Sequence, residues 1–142
     1  PDRVTVAPGV DIDVFPLPST DDLGQQLLSG FDELLGMRWL VTDAPWFVRV
    51  RAWRTQDRTR ICLHWLNYRQ VENVSDEVPL EQGPFTARLR LPAAARAERL
   101  QWLDPENAAS VDLGFHRDGG EIHFTVPRLT IYGIAVIHLQ EM

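Results

Sequence analysis

The side chains able to do chemistry are few, and their spacing decides most of what they can do. The histidines are His64, His116, His123 and His138, and none forms the i, i+4 pair of a helical zinc site. His116 and His123 flank the run Asp118-Gly119-Gly120. With Gly119-Gly120 as the turn, the two imidazoles sit opposite each other. With Asp118-Gly119 as the turn, His116 faces Glu121 instead. His116, His123 and Glu121 therefore make a weak metal candidate. A catalytic zinc wants three protein ligands in fixed geometry, so a solvated polar face is the preferred reading, with no metal and no cofactor. Cys62 and His64 share a face of one strand, but their neighbours Ile61, Leu63, Trp65 and Leu66 suit an inert cysteine rather than an activated thiolate. No serine stands in a Gly-x-Ser-x-Gly elbow. The acids cluster in turns and at a helix start (Asp21, Asp22, Asp57, Asp76, Asp104, Asp118), not in a paired catalytic frame. No glycine-rich segment joins a strand to a helix, so no phosphate cradle is expected. All 14 basic residues are arginine, which removes Schiff-base and lysine-base mechanisms.

The aromatics are more suggestive. There are five tryptophans, Trp39, Trp46, Trp53, Trp65 and Trp102. An exposed indole can stack on a sugar ring while polar neighbours bind its hydroxyls. Trp53 alternates with Arg49 and Arg51 on the polar side of its strand, so Trp53, Arg51, Arg49 and Trp102 form the candidate carbohydrate-binding set. Trp65 lies with Ile61 and Leu63 and is expected in the core. The competing and preferred reading places all five in an inter-sheet core or against another domain, where each buries a large apolar area.

The elements that carry these residues are mostly strands. Residues 1–20 are rich in proline and glycine, with Val4–Val6 and Ile12–Phe15 as short extended pieces. Ser19-Thr20-Asp21-Asp22 caps a helix whose stripe is Leu23, Leu27, Leu28, Phe31, Leu34 and Leu35, ending at Gly36. From Arg38 onward strand formers alternate with turn residues. The expected strands are 47–54, 60–68, 85–91, 98–103, 111–117, 121–127 and 131–139, with 69–84 as a loop. Residues 111–117 and 121–127 form one hairpin, with Val111, Leu113 and Phe115 facing the same way as Ile122, Phe124 and Val126. The strand 131–139, apolar on both faces, belongs in the centre of a sheet. With no helix after residue 46, strands must connect as antiparallel hairpins and meanders, and two stacked sheets bury these faces. Asn67, at a strand end, is expected to hydrogen-bond loop backbone in 69–73.

Composition sets outer limits. The chain has 142 residues, net charge −6, 44% hydrophobic and 24% charged residues, enough for one domain with its own core. An acidic balance argues against non-specific nucleic-acid binding, which needs a positive field. No apolar run reaches the length of a membrane span. One cysteine excludes a disulfide framework. The absence of lysine reads as the codon bias of a GC-rich bacterial genome, with a cytoplasmic location expected because Pro1–Phe15 lacks a signal-peptide core. The start at Pro1 suggests a piece of a longer protein or a processed product. Asn73-Val74-Ser75 matches a glycosylation acceptor by chance.

Two stretches also carry a family resemblance. The first runs from Trp46 to Arg54, then through a turn to Ile61-Cys62-Leu63-His64-Trp65-Leu66-Asn67-Tyr68. The second comprises Leu89-Arg90-Leu91-Pro92, Trp102-Leu103-Asp104-Pro105, Ile122 to Leu129 and Tyr132 to Ile137. Over residues 45–139 this resembles the C-terminal β-sandwich of TIM-barrel glycoside hydrolases, in a layout similar to beta-galactosidases of glycoside hydrolase family 42 and related glycosidase-like proteins. The resemblance implies an all-β, antiparallel Greek-key sandwich over 45–142. It implies that 1–44, with its helix at about 21–35, is an N-terminal extension or the remnant of a preceding domain. It also implies a non-catalytic role, since that family's catalytic glutamates lie on the barrel. The partners implied are the catalytic barrel of the same chain, a possible homo-oligomer, or carbohydrate if the chain acts as a stand-alone binding module.

Overall fold

The computed structural model describes residues 12–14, 38–71 and 78–141. The helix expected over 21–35, Val4–Val6 and Asn73-Val74-Ser75 lie outside the described residues. All described regular structure is β: β1 (Ile12–Val14), β2 (Leu40–Thr42), β3 (Val48–Arg54), β4 (Arg60–Asn67), β5 (Phe85–Arg90), β6 (Ala95–Asp104), β7 (Ala109–Asp112), β8 (Phe115–Asp118), β9 (Glu121–Val126) and β10 (Tyr132–Glu141). They form two antiparallel sheets, one of six strands in the order β1-β3-β4-β10-β6-β7 and one of four in the order β2-β5-β9-β8. Among the described residues, no helix is long and apolar enough to cross a membrane.

One core lies between the sheets, and alternation builds it. Val48 and Val50 of β3, with Ile61, Leu63 and Trp65 of β4, point inward from the larger sheet. Phe85, Ala87 and Leu89 of β5, with Ile122, Phe124 and Val126 of β9, answer from the smaller one. The rings of Trp65 and Phe85 stack across the gap, with centroids 6.3 Å apart and planes only 6° from parallel. As the double-sided apolar pattern predicts, β10 is central, between β4 and β6. Its inward residues are small near one end. The Trp102 ring fills the space that a Cβ on Gly133 would need, at 2.1 Å.

Three expectations require correction. Strand β6 begins at Ala95, not 98, because a bulge opposite His138/Leu139 breaks the alternation. Ala97 and Leu100 both point inward, and Glu98 is the extra residue, so the period-2 signal fails at that point. Second, residues 111–117 are not one strand. β7 pairs with β6 in the larger sheet and β8 pairs with β9 in the smaller, so the chain changes sheets at Leu113-Gly114. Val111 therefore sits opposite Trp102 at an exposed edge rather than beside Ile122. Third, hairpins and meanders do not account for the connections. Only β3–β4, β6–β7 and β8–β9 pair with their neighbour in sequence. The turn at Gly119-Gly120 has positive φ at both residues, 52° and 92°, as a two-residue hairpin loop demands.

Asn67 ends β4 and is the one buried polar side chain among the described residues. Its Oδ1 accepts from the Arg69 amide at 2.9 Å, as expected from sequence. Its Nδ2 reaches further, donating to the carbonyls of Leu80 at 2.8 Å and Thr130 at 2.7 Å. It therefore ties the loop after β4 to the entrance of β10 and leaves none of its polar atoms unpaired. At the other end, Arg117 crosses between sheets, donating to the Ala97 carbonyl at 2.6 Å with its guanidinium over Phe115.

The tight contact at Gly133 gives a direct check on this packing. Gly133→Ala is expected to cost about 1–3 kcal/mol or more, because the overpacked Trp102 ring cannot retreat without moving the core. Gly114→Ala, with nothing within 4 Å of its Cβ position, serves as the control and should stay within about 0.5 kcal/mol. Urea unfolding of the two variants measures both.

Candidate functional site

The strongest surface feature lies on the outward side of the six-stranded sheet, where β3, β4 and β10 meet. Register places Arg49 opposite Leu66, Arg51 opposite His64 and Trp53 opposite Cys62. Leu66 in turn pairs with Tyr132 and His64 with Ile134. Trp53, Arg51 and Arg49 thus share one face, as their alternation predicts, and Trp53 keeps 51% of its surface exposed. His64 and Tyr132, which the candidate set read from sequence does not include, complete the group. The His64 ring meets Trp53 edge-on at 6.4 Å and stacks on Tyr132 at 5.9 Å. His64 Nδ1 and the Tyr132 hydroxyl share a hydrogen bond. Partial burial pushes the Tyr132 hydroxyl above the usual phenol range. The Arg49 guanidinium lies over the Tyr68 ring, itself exposed, at 5.2 Å. The result is an aromatic and cationic surface rather than a cleft. It can stack on a planar or apolar partner and donate hydrogen bonds, but it holds no nucleophile paired with a base.

Trp102 is not part of it. Only 4% of its surface is exposed, it points inward from β6, and its ring packs on Gly133. It is a core residue, and the candidate set loses it. Of the five tryptophans expected in an inter-sheet core or against another domain, two lie in the core. Trp65 and Trp102 are interior, whereas Trp39, Trp46 and Trp53 are exposed in this chain. Cys62 lies half-buried on the outward face, not in the core, and burial raises its thiol pKa.

The second candidate is the outward side of the smaller sheet. Gly119-Gly120 is the turn, so His116 and His123 are directly opposite, with ring centroids 6.3 Å apart. Glu121 is engaged by Arg88 at 3.3 Å and Arg90 at 3.6 Å, which leaves it ion-paired rather than aimed at a shared ligand. His123 Nε2 is buried without a hydrogen-bond partner, and its 3.9 Å approach to Glu121 is too long to count as one. Among the described residues no three ligating side chains gather as a metal site. An open groove of about 540 Å³ runs beside them, lined by Asp43, Thr86, Arg88, Gly114, His123 and Thr125. Val41, Ala87 and Phe124 also line it, so its walls are mixed.

Comparison with known proteins locates the fold. No family model matches the chain, and no curated protein does. Among solved structures, it is similar to alpha-L-fucosidase isoenzyme 2 from Paenibacillus thiaminolyticus, with TM-score 0.64 and 22% identity over 84% of this chain and 18% of that one. It is also similar to a cycloisomaltooligosaccharide glucanotransferase from Paenibacillus sp., solved with cycloisomaltoheptaose, with TM-score 0.51 and 14% identity over 69% of this chain and 16% of that one. The chain therefore spans less than a fifth of either neighbour. An all-β unit of two antiparallel sheets recurs as a small part of larger carbohydrate-active enzymes.

The turn that aims Trp53 makes a prediction. In the β3–β4 turn Asp57 accepts from the Thr55 hydroxyl and, at 3.0 Å, from the Thr59 amide. These bonds favour the carboxylate and lower its pKa to about 2. The folded value lies below the unfolded one near 3.9, so the stabilisation is present above pH ~4 and lost as pH falls towards ~2. Asp57→Asn should flatten the stability profile in that window and leave it unchanged in shape near neutrality. Unfolding curves between pH 2 and 7 measure this.

Proposed function

We propose that this chain is a non-catalytic, Greek-key β-sandwich accessory domain of a bacterial, cytoplasmic glycoside hydrolase, packing against the catalytic domain or aiding its assembly. The observation that carries the reading is the coverage of the structural neighbours: 84% and 69% of this chain align with only 18% and 16% of the two carbohydrate-active enzymes. The site chemistry agrees with it. The described residues offer stacking and cationic surface at Trp53, His64, Tyr132 and Arg51. The sequence resemblance to the sandwich of family 42 beta-galactosidases supports the same role, with the partner a barrel on the same polypeptide. A homo-oligomer of the parent is compatible with it.

The exposed Trp53 and Tyr68 favour one second reading, a carbohydrate-binding module that uses the aromatic face, with Arg49 and Arg51 as hydrogen-bond donors. Deleting residues 45–142 from the full-length polypeptide separates the two. An accessory packing domain predicts a lower unfolding temperature and lower soluble yield, with retention on immobilised polysaccharide unchanged. Unchanged stability together with lost retention overturns that reading in favour of the module.

A further inference from the structure

On the outward side of the smaller sheet, side-chain size changes from one row of paired residues to the next. Thr86 of β5 pairs with Thr125 of β9, and Gly114, just before β8, has nothing within 4 Å of its Cβ position. This row is low. The neighbouring row is taller, with Val41, Arg88, His123 and His116 as register partners across β2, β5, β9 and β8. The step between the rows makes the open groove of about 540 Å³. It runs across the strands from β2 to the start of β8, about 14 Å at the usual strand spacing. Hydrogen bonds fix the β2 end. Asp43 Oδ1 accepts from the Thr86 amide at 2.7 Å, and the Thr42 hydroxyl donates to the Thr86 carbonyl at 2.7 Å. Thr86 is thereby held at both its backbone groups, and the floor is preorganised.

We propose that this groove binds a neutral, hydroxyl-rich ligand, a short oligosaccharide segment lying across the strands. Its volume lies within the roughly 300–1,000 Å³ of small-molecule sites. Its polar groups are of both kinds. Asp43 keeps its second carboxylate oxygen as an acceptor. The ion pair with Glu121 engages Arg88 through Nε, at 3.3 Å, so the two terminal nitrogens stay available as donors. The Thr86 and Thr125 hydroxyls each donate and accept, and both residues are exposed. His123 adds Nε2, which is buried without a hydrogen-bond partner among the described residues, a cost that favours any arrangement supplying one. A sugar hydroxyl also donates and accepts, so it can meet either kind of group. A carboxylate or phosphate only accepts, and it would meet Asp43 with like charge. Because Glu121 balances Arg88, no net positive field draws an anion in. Val41 supplies an apolar contact for the C–H groups of a sugar ring. The site lies on the sheet opposite the Trp53 face and needs no other domain, so its failure leaves the accessory role of the chain standing.

Titration of the isotope-labelled 142-residue chain, followed by amide NMR shifts, tests this. Cellotriose, xylotriose and maltotriose are the neutral probes, and trigalacturonate is the acidic one. The expected result is saturable shifts with at least one neutral trisaccharide, concentrated at Thr86, Arg88, Gly114 and Thr125. The double substitution Thr86→Val/Thr125→Val removes both hydroxyls and keeps a β-branched shape suited to a strand. It should weaken that binding by about tenfold or more, with the rest of the spectrum retained. Where that variant does not fold, the shift map of the unaltered chain decides alone. No saturable shift with any neutral probe at millimolar concentration overturns the proposal, as does unchanged affinity in the folded double variant. Shifts confined to Trp53, Arg51 and Tyr132 place the sugar on the larger sheet and overturn it equally. Binding of trigalacturonate alone makes the ligand an anion and also overturns it.

Discussion

The contact between Trp65 and Phe85 is the constraint on which the fold rests. Trp65 is the largest fully buried side chain of the described residues, and its ring lies flat on Phe85 of the opposite sheet. A stacked aromatic pair sets the spacing between the sheets and fixes their rotation, since either ring slipping aside opens a void that nothing else fills. The residues beside it complete the closure. Two positions after Trp65, Asn67 satisfies the backbone where the strand ends, and Trp102 seals the central strand by occupying the place of the missing Gly133 side chain.

With the interior committed to packing, chemistry is confined to the outward faces, and those faces are unlike. The smaller sheet shows ion pairs, facing imidazoles and an open groove of mixed lining. The larger shows aromatics and arginines side by side across β3, β4 and β10. Aromatic and arginine residues are enriched in surfaces built to be covered.

Much of this was legible in the residues, and the failures have physical causes. Period-2 alternation located β3, β4, β5 and β9, put Trp65 inside and left Trp53 with Arg49 and Arg51 outside. The double-sided apolar run 131–139 correctly gave a central strand. Where alternation breaks, the reading broke with it. The bulge at Glu98 hid the first residues of β6, and the change of sheet at Leu113-Gly114 leaves a sequence that looks like one continuous strand. Trp102, kept in the carbohydrate-binding set as the alternative to the preferred core reading, lies in the core, as its alternation with Leu100 indicates. His64 and Tyr132 could not be joined to Trp53 from sequence, because that needs the β4–β10 register, set by pairing between residues nearly seventy positions apart. The Cys62–His64 spacing did show that those two share a face.

Whether bond-breaking groups lie within these residues is tested most directly by the purified 142-residue chain alone, assayed for release of nitrophenol from a panel of aryl glycosides. The expected result is no release above the uncatalysed rate at any pH between 4 and 9. Release that is saturable, and that disappears on substituting one of the chain's own carboxylates or histidines, contradicts the account.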